Sequence, residues 1–424
     1  MIRSLPSPVK TTDHTSFTSP GRYAGKTIVL GVTGSIAAYK AVSLARHLTA
    51  EGATVNVVMT RTAQRFVGPL TFEVLTGRAV STDLFAAEPP PAGMAHLTLA
   101  ETADLVVIAP ASAHCLAKLA HGLADDLLST LVLAATCPVL AVPAMDGGMW
   151  THAAVCDNVM TLRRRGVTVL EPETGLLASG AVGQGRLPGE DAILAAIAVA
   201  LVSRKDFHGR RVLVTAGPTQ EALDPVRFLS NRSSGKMGWA LAEAARDRGA
   251  EVVLVAGPTS LPPPSCVSYV PVVTSEEMRK AVVTRFPETE VLIMAAAVAD
   301  FRPARPAPGK IPKGAAGEAD GLVLALEPTP DILLDLPARR TGQVVVGFAA
   351  ETEDVVSRAR HKLAAKALDL IVANDVTQPG AGFGTDTNRA TLLDRMGRCD
   401  VLPLLSKYEL AQRILDAVLA LPVV

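Results

Sequence analysis

Aromatic residues are scarce in this chain: Phe, Trp and Tyr make up 4% of 424 residues, although 49% are apolar. Ala, Val and Leu supply that apolar surface, which suits α/β layers built on parallel strands. Neither sign of charge prevails. The 41 basic and 41 acidic residues leave a formal charge of zero and no basic stripe, so the electrostatic footprint of a nucleic-acid binder is missing. No run approaches the roughly 18 apolar residues that a membrane span needs, and the longest, Ala192 to Val202, reads as a buried helix. The five cysteines are widely spaced and form no CxxC pair, which argues against a disulfide framework and for a reducing, cytoplasmic setting. Residues 1–24 hold scattered Ser, Thr and Pro without an apolar signal core and read as a disordered tail.

A length of 424 residues exceeds what one core usually supports and suggests two domains. From Lys26 onward, strand and helix signals alternate. Apolar runs at Thr27–Val32, Ala53–Met59, Ala103–Ala109, Val139–Val142 and Val167–Leu170 are separated by helical segments, which predicts a parallel sheet with helices on both faces. A glycine-rich stretch, Gly175 to Gly189, interrupts the rhythm before a helix near Asp191–Ser203. The polar segment Arg204–Arg210 then precedes a new strand at Val212–Ala216, placing a boundary near residue 205, with domains over 25–204 and 205–424. Beyond it, Glu251–Ala256, Val291–Ala296, Val344–Phe348 and Leu370–Ala373 are the strand cores; the Pro-rich stretches Leu261–Ser265 and Pro303–Pro312 read as loops.

In the first half, Gly31-Val32-Thr33-Gly34-Ser35-Ile36 forms a strand-to-helix turn where backbone can approach a phosphate, although its spacing is not the GxGxxG of a dinucleotide site. Three further segments follow strands or precede helices: Met94-Ala95-His96-Leu97, Ala109-Pro110-Ala111-Ser112-Ala113, and Pro143 to Trp150. Read alone, a single histidine at a helix start is more often structural than catalytic. In the second half, Ser230-Asn231-Arg232-Ser233-Ser234-Gly235-Lys236-Met237-Gly238 packs hydroxyls and a lysine before a helix. Such a loop is suited to a triphosphate, but it lacks the GxxxxGK[ST] of a Walker loop. Lys362 and Lys366, four apart, share a helix face, which read alone suits a solvated basic edge.

Taken together, these segments resemble the bifunctional phosphopantothenoylcysteine decarboxylase/phosphopantothenate–cysteine ligases of coenzyme A synthesis, whose first half is similar to the flavin-containing cysteine decarboxylases. The motifs that carry the resemblance are Gly31 to Lys40, Lys118 to Leu128, and an almost unbroken match from Ala216 to Gly238. They continue with Ala295 to Phe301, Gly347 to Thr352 and Val372 to Val376. The resemblance implies two consecutive three-layer α/β domains, a flavodoxin-like flavoprotein domain followed by a Rossmann-like ligase domain. It implies a CTP-dependent ligation of 4′-phosphopantothenate with cysteine through an acyl-cytidylate, then an FMN-dependent decarboxylation to 4′-phosphopantetheine. FMN serves there by oxidising the thiol-bearing carbon, so that the departing carboxylate leaves its electrons in a thioaldehyde sink.

The roles it implies are these. Gly34, Ser35, Ile36, Thr60 and Ser112 hold FMN, His96 is the catalytic base, Asp146 and Met149 lie at the substrate, and Gly175–Gly189 is a flap carrying Ser179. In the ligase, Asp300 meets Mg²⁺ and the triphosphate, and Lys310 stabilises developing charge. Pro330, Asp331, Ile332, Leu333, Phe348, Lys362 and Lys366 contact CTP, and Asn231 positions the acyl intermediate. The partners implied are small molecules and further copies of the chain, in a dodecamer, with no nucleic acid or membrane.

Four positions depart from the pattern: Asp146 replaces an Asn, Ser179 replaces a Cys, Ala181 replaces an Asp, and Pro312 replaces one lysine of the cluster that keeps Lys310 and Lys313. An ionised Asp146 repels a substrate carboxylate, and a serine is a weaker acid than a thiol. The alternative reading is therefore a working ligase beside an impaired or oxidative flavin half, or a flavin half with a regulatory binding role.

Overall fold

The computed structural model describes residues 21–85, 94–202, 204–311, 322–351, 354–375 and 384–422. In the first half, β1 (Thr27–Val32) leads through a short 3-10 turn into α1 (Lys40–Ala50) and β2 (Thr54–Met59). There follow α2 (Ala95–Thr102), β3 (Leu105–Ala111), α3 (Ala113–His121), β4 (Val139–Pro143) and the two-residue β5 (Thr168–Val169). All pairings are parallel, in the order β2-β1-β3-β4-β5. The alternation of side chains along a strand feeds two cores: Ile28, Leu30 and Val32 pack on one face, Val29 on the other. The glycine-rich stretch forms an antiparallel hairpin, β6 (Glu173–Leu176) and β7 (Val182–Arg186), rather than merely breaking the pattern. Then α4 (Glu190–Leu201) takes up the Ala192–Val202 run as a helix with a buried face.

Among the described residues the second half is built on an eight-stranded sheet. Its strands and principal helices are β8 (Arg211–Ala216), α5 (Lys236–Asp247), β9 (Glu251–Ala256), β10 (Ser268–Pro271), β11 (Val291–Met294), β12 (Val344–Glu351), α6 (Val355–Ala365), β13 (Leu370–Asp375), β14 (Ala390–Asp394), β15 (Cys399–Val401) and α7 (Lys407–Ala420). The order is β10-β9-β8-β11-β12-β13-β14-β15; pairing is parallel as far as β13, and β14 and β15 add antiparallel at one edge. The sheet is thus mixed. The proline-rich stretch from Pro303 is not loop throughout, because Phe301–Pro303 pairs with Leu326–Pro328.

The expected tail to residue 24 is corrected at its inner end. Tyr23 is 3% exposed, its hydroxyl donating to the Leu194 carbonyl at 3.2 Å. Arg22 reaches into the second half: its guanidinium meets Glu243 at 3.2 Å and Asp247 at 2.7 Å and lies 4.6 Å from the centre of the Tyr408 ring. The Tyr408 hydroxyl donates to the same Asp247 carboxylate at 2.7 Å. The segment is a strap across both halves, and composition hid it because its partners lie far along the chain. Residues 1–20 lie outside the described residues, as do Pro312, Lys313 and Val376. Among the described residues no helix is long and apolar enough to cross a membrane, and all five cysteines are free thiols.

Candidate functional sites

In an open sheet of order 2-1-3-4-5, ligands bind beyond the carboxyl ends of the strands, where the winding reverses between β1 and β3. That edge is where the flavin candidates gather. Gly34, Ser35 and Ile36 follow β1, Thr60 follows β2, Ser112 follows β3, and Asp146 and Met149 follow β4. Ser35 caps the 3-10 turn, accepting from the Ala37 N–H at 3.3 Å, while its hydroxyl donates to the Ala144 carbonyl at 3.2 Å. Ser112 caps α3, accepting from the Cys115 N–H at 3.3 Å. The β1 and β3 ends are tied together by Thr33, buried, whose hydroxyl donates to the Pro110 carbonyl at 2.7 Å and accepts from the Ser112 N–H at 2.9 Å. Thr33 stood in the opening motif without a role; a threonine in a glycine turn gives no sign of a partner 77 residues on. Gly34 leaves room that a side chain would close, since a Cβ there would lie 2.5 Å from Thr62 Oγ1. Two capped helix starts on one edge, a glycine between them and the exposed Ile36 beside them fit a phosphate joined to a flat apolar ring.

The hairpin lies against the loop after β4. The Met145 N–H donates to the Gly185 carbonyl at 2.9 Å, and any Cβ on Gly185 would meet Met145 O at 2.3 Å. At its tip the Ser179 hydroxyl donates to Asp146 Oδ2 at 2.6 Å, and Asp146 Oδ1 accepts from the Gly148 N–H at 3.1 Å. Two of the departures from the family pattern, Asp146 and Ser179, therefore touch. The Ser179 hydroxyl first, then the Gly148 N–H, holds the Asp146 carboxyl below its ordinary range, so it stays ionised. Cys115 cannot stand in for the missing flap thiol: burial, and then the Asp126 charge, push it up to about 12. Lys118 ties Asp125 and Asp126 together at 2.7 Å each, so much of the Lys118–Leu128 motif holds a turn. His96 is half-buried in the first turn of α2, one residue inside the helix rather than before it. A 280 Å³ cavity in this half, lined by Tyr39, Lys40, Ser43, Ala109, Leu187 and Glu190 among others, includes none of the flavin candidates.

In the second half most ligase candidates meet in one cavity of 590 Å³, whose wall includes Asn231, Asp300, Pro330 to Leu333, Phe348, Lys362 and Lys366. Gly238 lets α5 come down directly on β8: a Cβ there would lie 2.3 Å from that of Ala216. This close approach carries the 231–238 loop to the carboxyl end of the sheet, beside the loop after β11. The Asn231 amide donates to the Val298 carbonyl at 2.9 Å, and Thr219 accepts from the Ala299 N–H at 2.9 Å. Across the cavity Lys366, the residue just after α6, pairs with Asp331 at 3.0 Å. Arg232, Lys236, Lys362, Lys366 and Lys407 face two carboxylates, Asp300 and Asp331, so the wall attracts polyanions.

Lys310 is exposed and is not on that wall. Its loop is anchored by Asp224, which accepts from the Ile311 N–H at 3.1 Å and from Arg227 at 2.6 Å. Burial opposes ionisation of Asp224, but the N–H groups of Val226, Arg227 and Ile311 and the Arg227 guanidinium hold its carboxyl well below the usual range. Lys407 lies on the wall as the first residue of α7, and nothing in the sequence singles it out.

Residues 16–202 match the family described as Flavoprotein, and residues 207–421 match the DNA/pantothenate metabolism flavoprotein C-terminal domain. The chain is 46% identical over 399 residues to the coenzyme A biosynthesis bifunctional protein CoaBC of Bacillus subtilis, covering 93% of this chain and 97% of that one. The chain belongs to the bifunctional CoaBC family. To the CoaBC of Mycobacterium tuberculosis it is 47% identical over 409 residues, covering 93% of this chain and 96% of the relative. The crystal structure of a CoaBC C-terminal domain is 42% identical, with a TM-score of 0.42, over 50% of this chain and 95% of that one. As a CoaBC, the chain ligates phosphopantothenate with cysteine and performs the flavin-dependent decarboxylation in coenzyme A biosynthesis. Its first half is a flavin-binding domain.

Proposed function

We propose that residues 205–424 perform the ligation with CTP and Mg²⁺, and that residues 25–204 decarboxylate the product with FMN. The observation that carries the ligase assignment is the single cavity that gathers Asn231, Asp300, Pro330–Leu333, Phe348 and Lys362 with Lys366. A carboxylate is a poor acyl donor. Attack on the α-phosphate of CTP forms an acyl-cytidylate and pyrophosphate, and the cysteine amine then displaces CMP. Such chemistry needs cations around the phosphates more than a protein nucleophile. Phe348 offers a face to the base, and Lys362 and Lys366 meet the phosphates. Asp300 fits a Mg²⁺ carried in on the triphosphate, since that ion usually takes only one or two protein carboxylates. Lys310 reaches the developing charge from its anchored loop, and Asn231 holds the acyl group for attack.

In the flavin half, Gly34, Ser35, Ile36, Thr60 and Ser112 hold FMN. The cofactor supplies reversible hydride acceptance, which gives the departing carboxylate's electrons a sink. His96 moves the proton, Asp146 and Met149 adjoin the substrate, and the Ser179 hairpin covers it. Phe66, Leu70 and Val74 are exposed apolar side chains in this half, which supports association of copies; that the assembly is a cytoplasmic dodecamer rests on the family resemblance. The test is to supply 4′-phosphopantothenate, cysteine, Mg²⁺ and either CTP or ATP and to identify products by mass spectrometry. CMP, pyrophosphate and 4′-phosphopantetheine are expected with CTP. Equal turnover with ATP, releasing AMP, overturns the nucleotide assignment.

A further inference from the structure

The β1–β3 ladder stops short of the edge where the flavin candidates gather. Its paired residues run from Ile28 with Leu105 to Gly31 with Ile108, while β3 itself continues to Ala111. The β3–β4 register also shifts between Ile108 and Ala111. Backbone pairing of β1 with β3 thus ends before Thr33, just where each strand feeds a loop that carries flavin candidates. Thr33 continues the tie beyond that point. Its hydroxyl donates to the Pro110 carbonyl at 2.7 Å and accepts from the Ser112 N–H at 2.9 Å, so one side chain holds both sides of the turn that leaves β3. A threonine suits the place, because branching at Cβ stiffens its side chain and a hydroxyl is both donor and acceptor. Valine has nearly the same shape and neither function.

The tie extends to a third loop. The Ala111 carbonyl, between the two groups that Thr33 holds, accepts from the Ala144 N–H at 3.2 Å. The Ala144 carbonyl in turn accepts from the Ser35 hydroxyl at 3.2 Å, and the Ser35 N–H donates to the Thr33 carbonyl at 2.9 Å. The loops after β1, β3 and β4 are therefore joined in a closed ring of hydrogen bonds. Ser35 and Ser112, on that ring, are the hydroxyls assigned to the cofactor. Thr33 is 1% exposed and offers a ligand almost no surface, so what it contributes passes through those two residues.

Resting on the flavin assignment above, we propose that Thr33 is a positioning residue: its hydroxyl fixes the spacing of the Ser35 and Ser112 loops, and that spacing sets how tightly the flavin half holds FMN. Without the hydroxyl, the Pro110 carbonyl and the Ser112 N–H lose a shared partner at a buried place. The flavin-free chain relieves this by parting the loops and admitting water. Binding the cofactor draws the loops together again, so the cost falls on FMN affinity rather than on the fold alone.

The test is titration of the flavin-free full chain with FMN, followed by flavin fluorescence, for Thr33→Val and Thr33→Ser. Thr33→Val should raise the Kd for FMN roughly 10- to 100-fold, the loss of a buried group that bonds on two sides. The visible circular dichroism of the flavin that does bind should change shape. Thr33→Ser keeps the hydroxyl and should stay within about threefold of the unaltered chain. Unchanged ligation shows that the variant chains are folded. If Thr33→Val does not fold, Thr33→Cys, a weaker donor and acceptor, reads the same effect in a smaller step. A Thr33→Val chain that melts lower without flavin yet keeps its FMN Kd within about twofold overturns the proposal, because the threonine then serves the fold only. A loss in Thr33→Ser as large as in Thr33→Val overturns it too. Gly34→Val tests the flavin assignment itself, since a Cβ there would lie 2.5 Å from Thr62 Oγ1. If Gly34→Val leaves FMN binding unchanged, the assignment fails and the proposal falls with it. If Gly34→Val weakens binding and Thr33→Val does not, the proposal alone falls.

Discussion

Replacing Asp247 with Ala strikes the junction between the halves at a buried carboxylate. Its side chain is fully buried and serves three groups: Arg22 at 2.7 Å, the Tyr408 hydroxyl at 2.7 Å, and Arg246, itself 5% exposed, at 2.7 Å. Removing the carboxylate takes the shared counter-charge from two guanidinium groups, leaving Arg22 with Glu243 at 3.2 Å and Arg246 with the Ser265 carbonyl at 2.8 Å. Loss of one member of a buried ion pair costs about 3–5 kcal/mol. At about 2–4 °C per kcal/mol for a domain of this size, the ligase half should melt roughly 6–20 °C lower. Arg22→Ala should cost less, about 1.5–3 kcal/mol, because Asp247 keeps Arg246 and Tyr408. The double variant should lose less than the sum of the two, since the partners share one network. Calorimetry on flavin-loaded protein, with flavin fluorescence reporting the first half separately, makes the measurement. A shift for Asp247→Ala equivalent to about 0.5 kcal/mol or less, the range of ordinary surface changes, refutes the reasoning, as does strict additivity.

Three further outcomes concern chemistry. His96→Asn should cut CO2 release on the order of 10²- to 10⁴-fold while leaving bound-flavin absorbance and ligation intact, as expected for loss of a proton-transfer group. Lys310→Gln should slow pyrophosphate release on the order of 10²-fold, and Asn231→Asp should instead let acyl-cytidylate accumulate in quenched samples; near-normal turnover in both makes these residues structural. Ser179 donates its proton to an ionised Asp146, which makes it a still weaker acid toward substrate. Ser179→Cys should therefore speed the return of oxidised-flavin absorbance after CO2 leaves and reduce any leak of oxidised product. An unchanged rate and product ratio assign that protonation to another group.

The strands were legible where an apolar run ends sharply in glycine or charge: Thr27–Val32 and Glu251–Ala256 form over the expected residues. The hairpin was not, because glycines dilute the two-residue alternation of β7, leaving only Val182 as an apolar marker. The antiparallel edge was missed for a related reason, since β15 is three residues of mixed polarity, stabilised by pairing with β14. Most ligase residues could be gathered from motif order alone, yet Lys407 could not, because only the packing of α7 against α5 turns that lysine inward. Arg22 and Tyr23 sit in a stretch whose composition reads as tail, and nothing local announces contacts 225 and 171 residues away.

That separation also sets an order of events during synthesis. Arg22 is made 225 residues before Asp247, an interval on the order of 10–45 s at usual elongation rates, and Tyr408 comes later still. The first sheet needs no strand beyond Val169 and can close while the nascent chain is still short of the ligase half. Its strap residue Tyr23 can seat with Leu194, but Arg22 must wait, charged and unmatched, until α5 and α7 have been made. The helix α7 therefore closes a contact opened by Arg22, near the start of the described residues, so a polypeptide cut short before residue 407 cannot complete the junction with Tyr408.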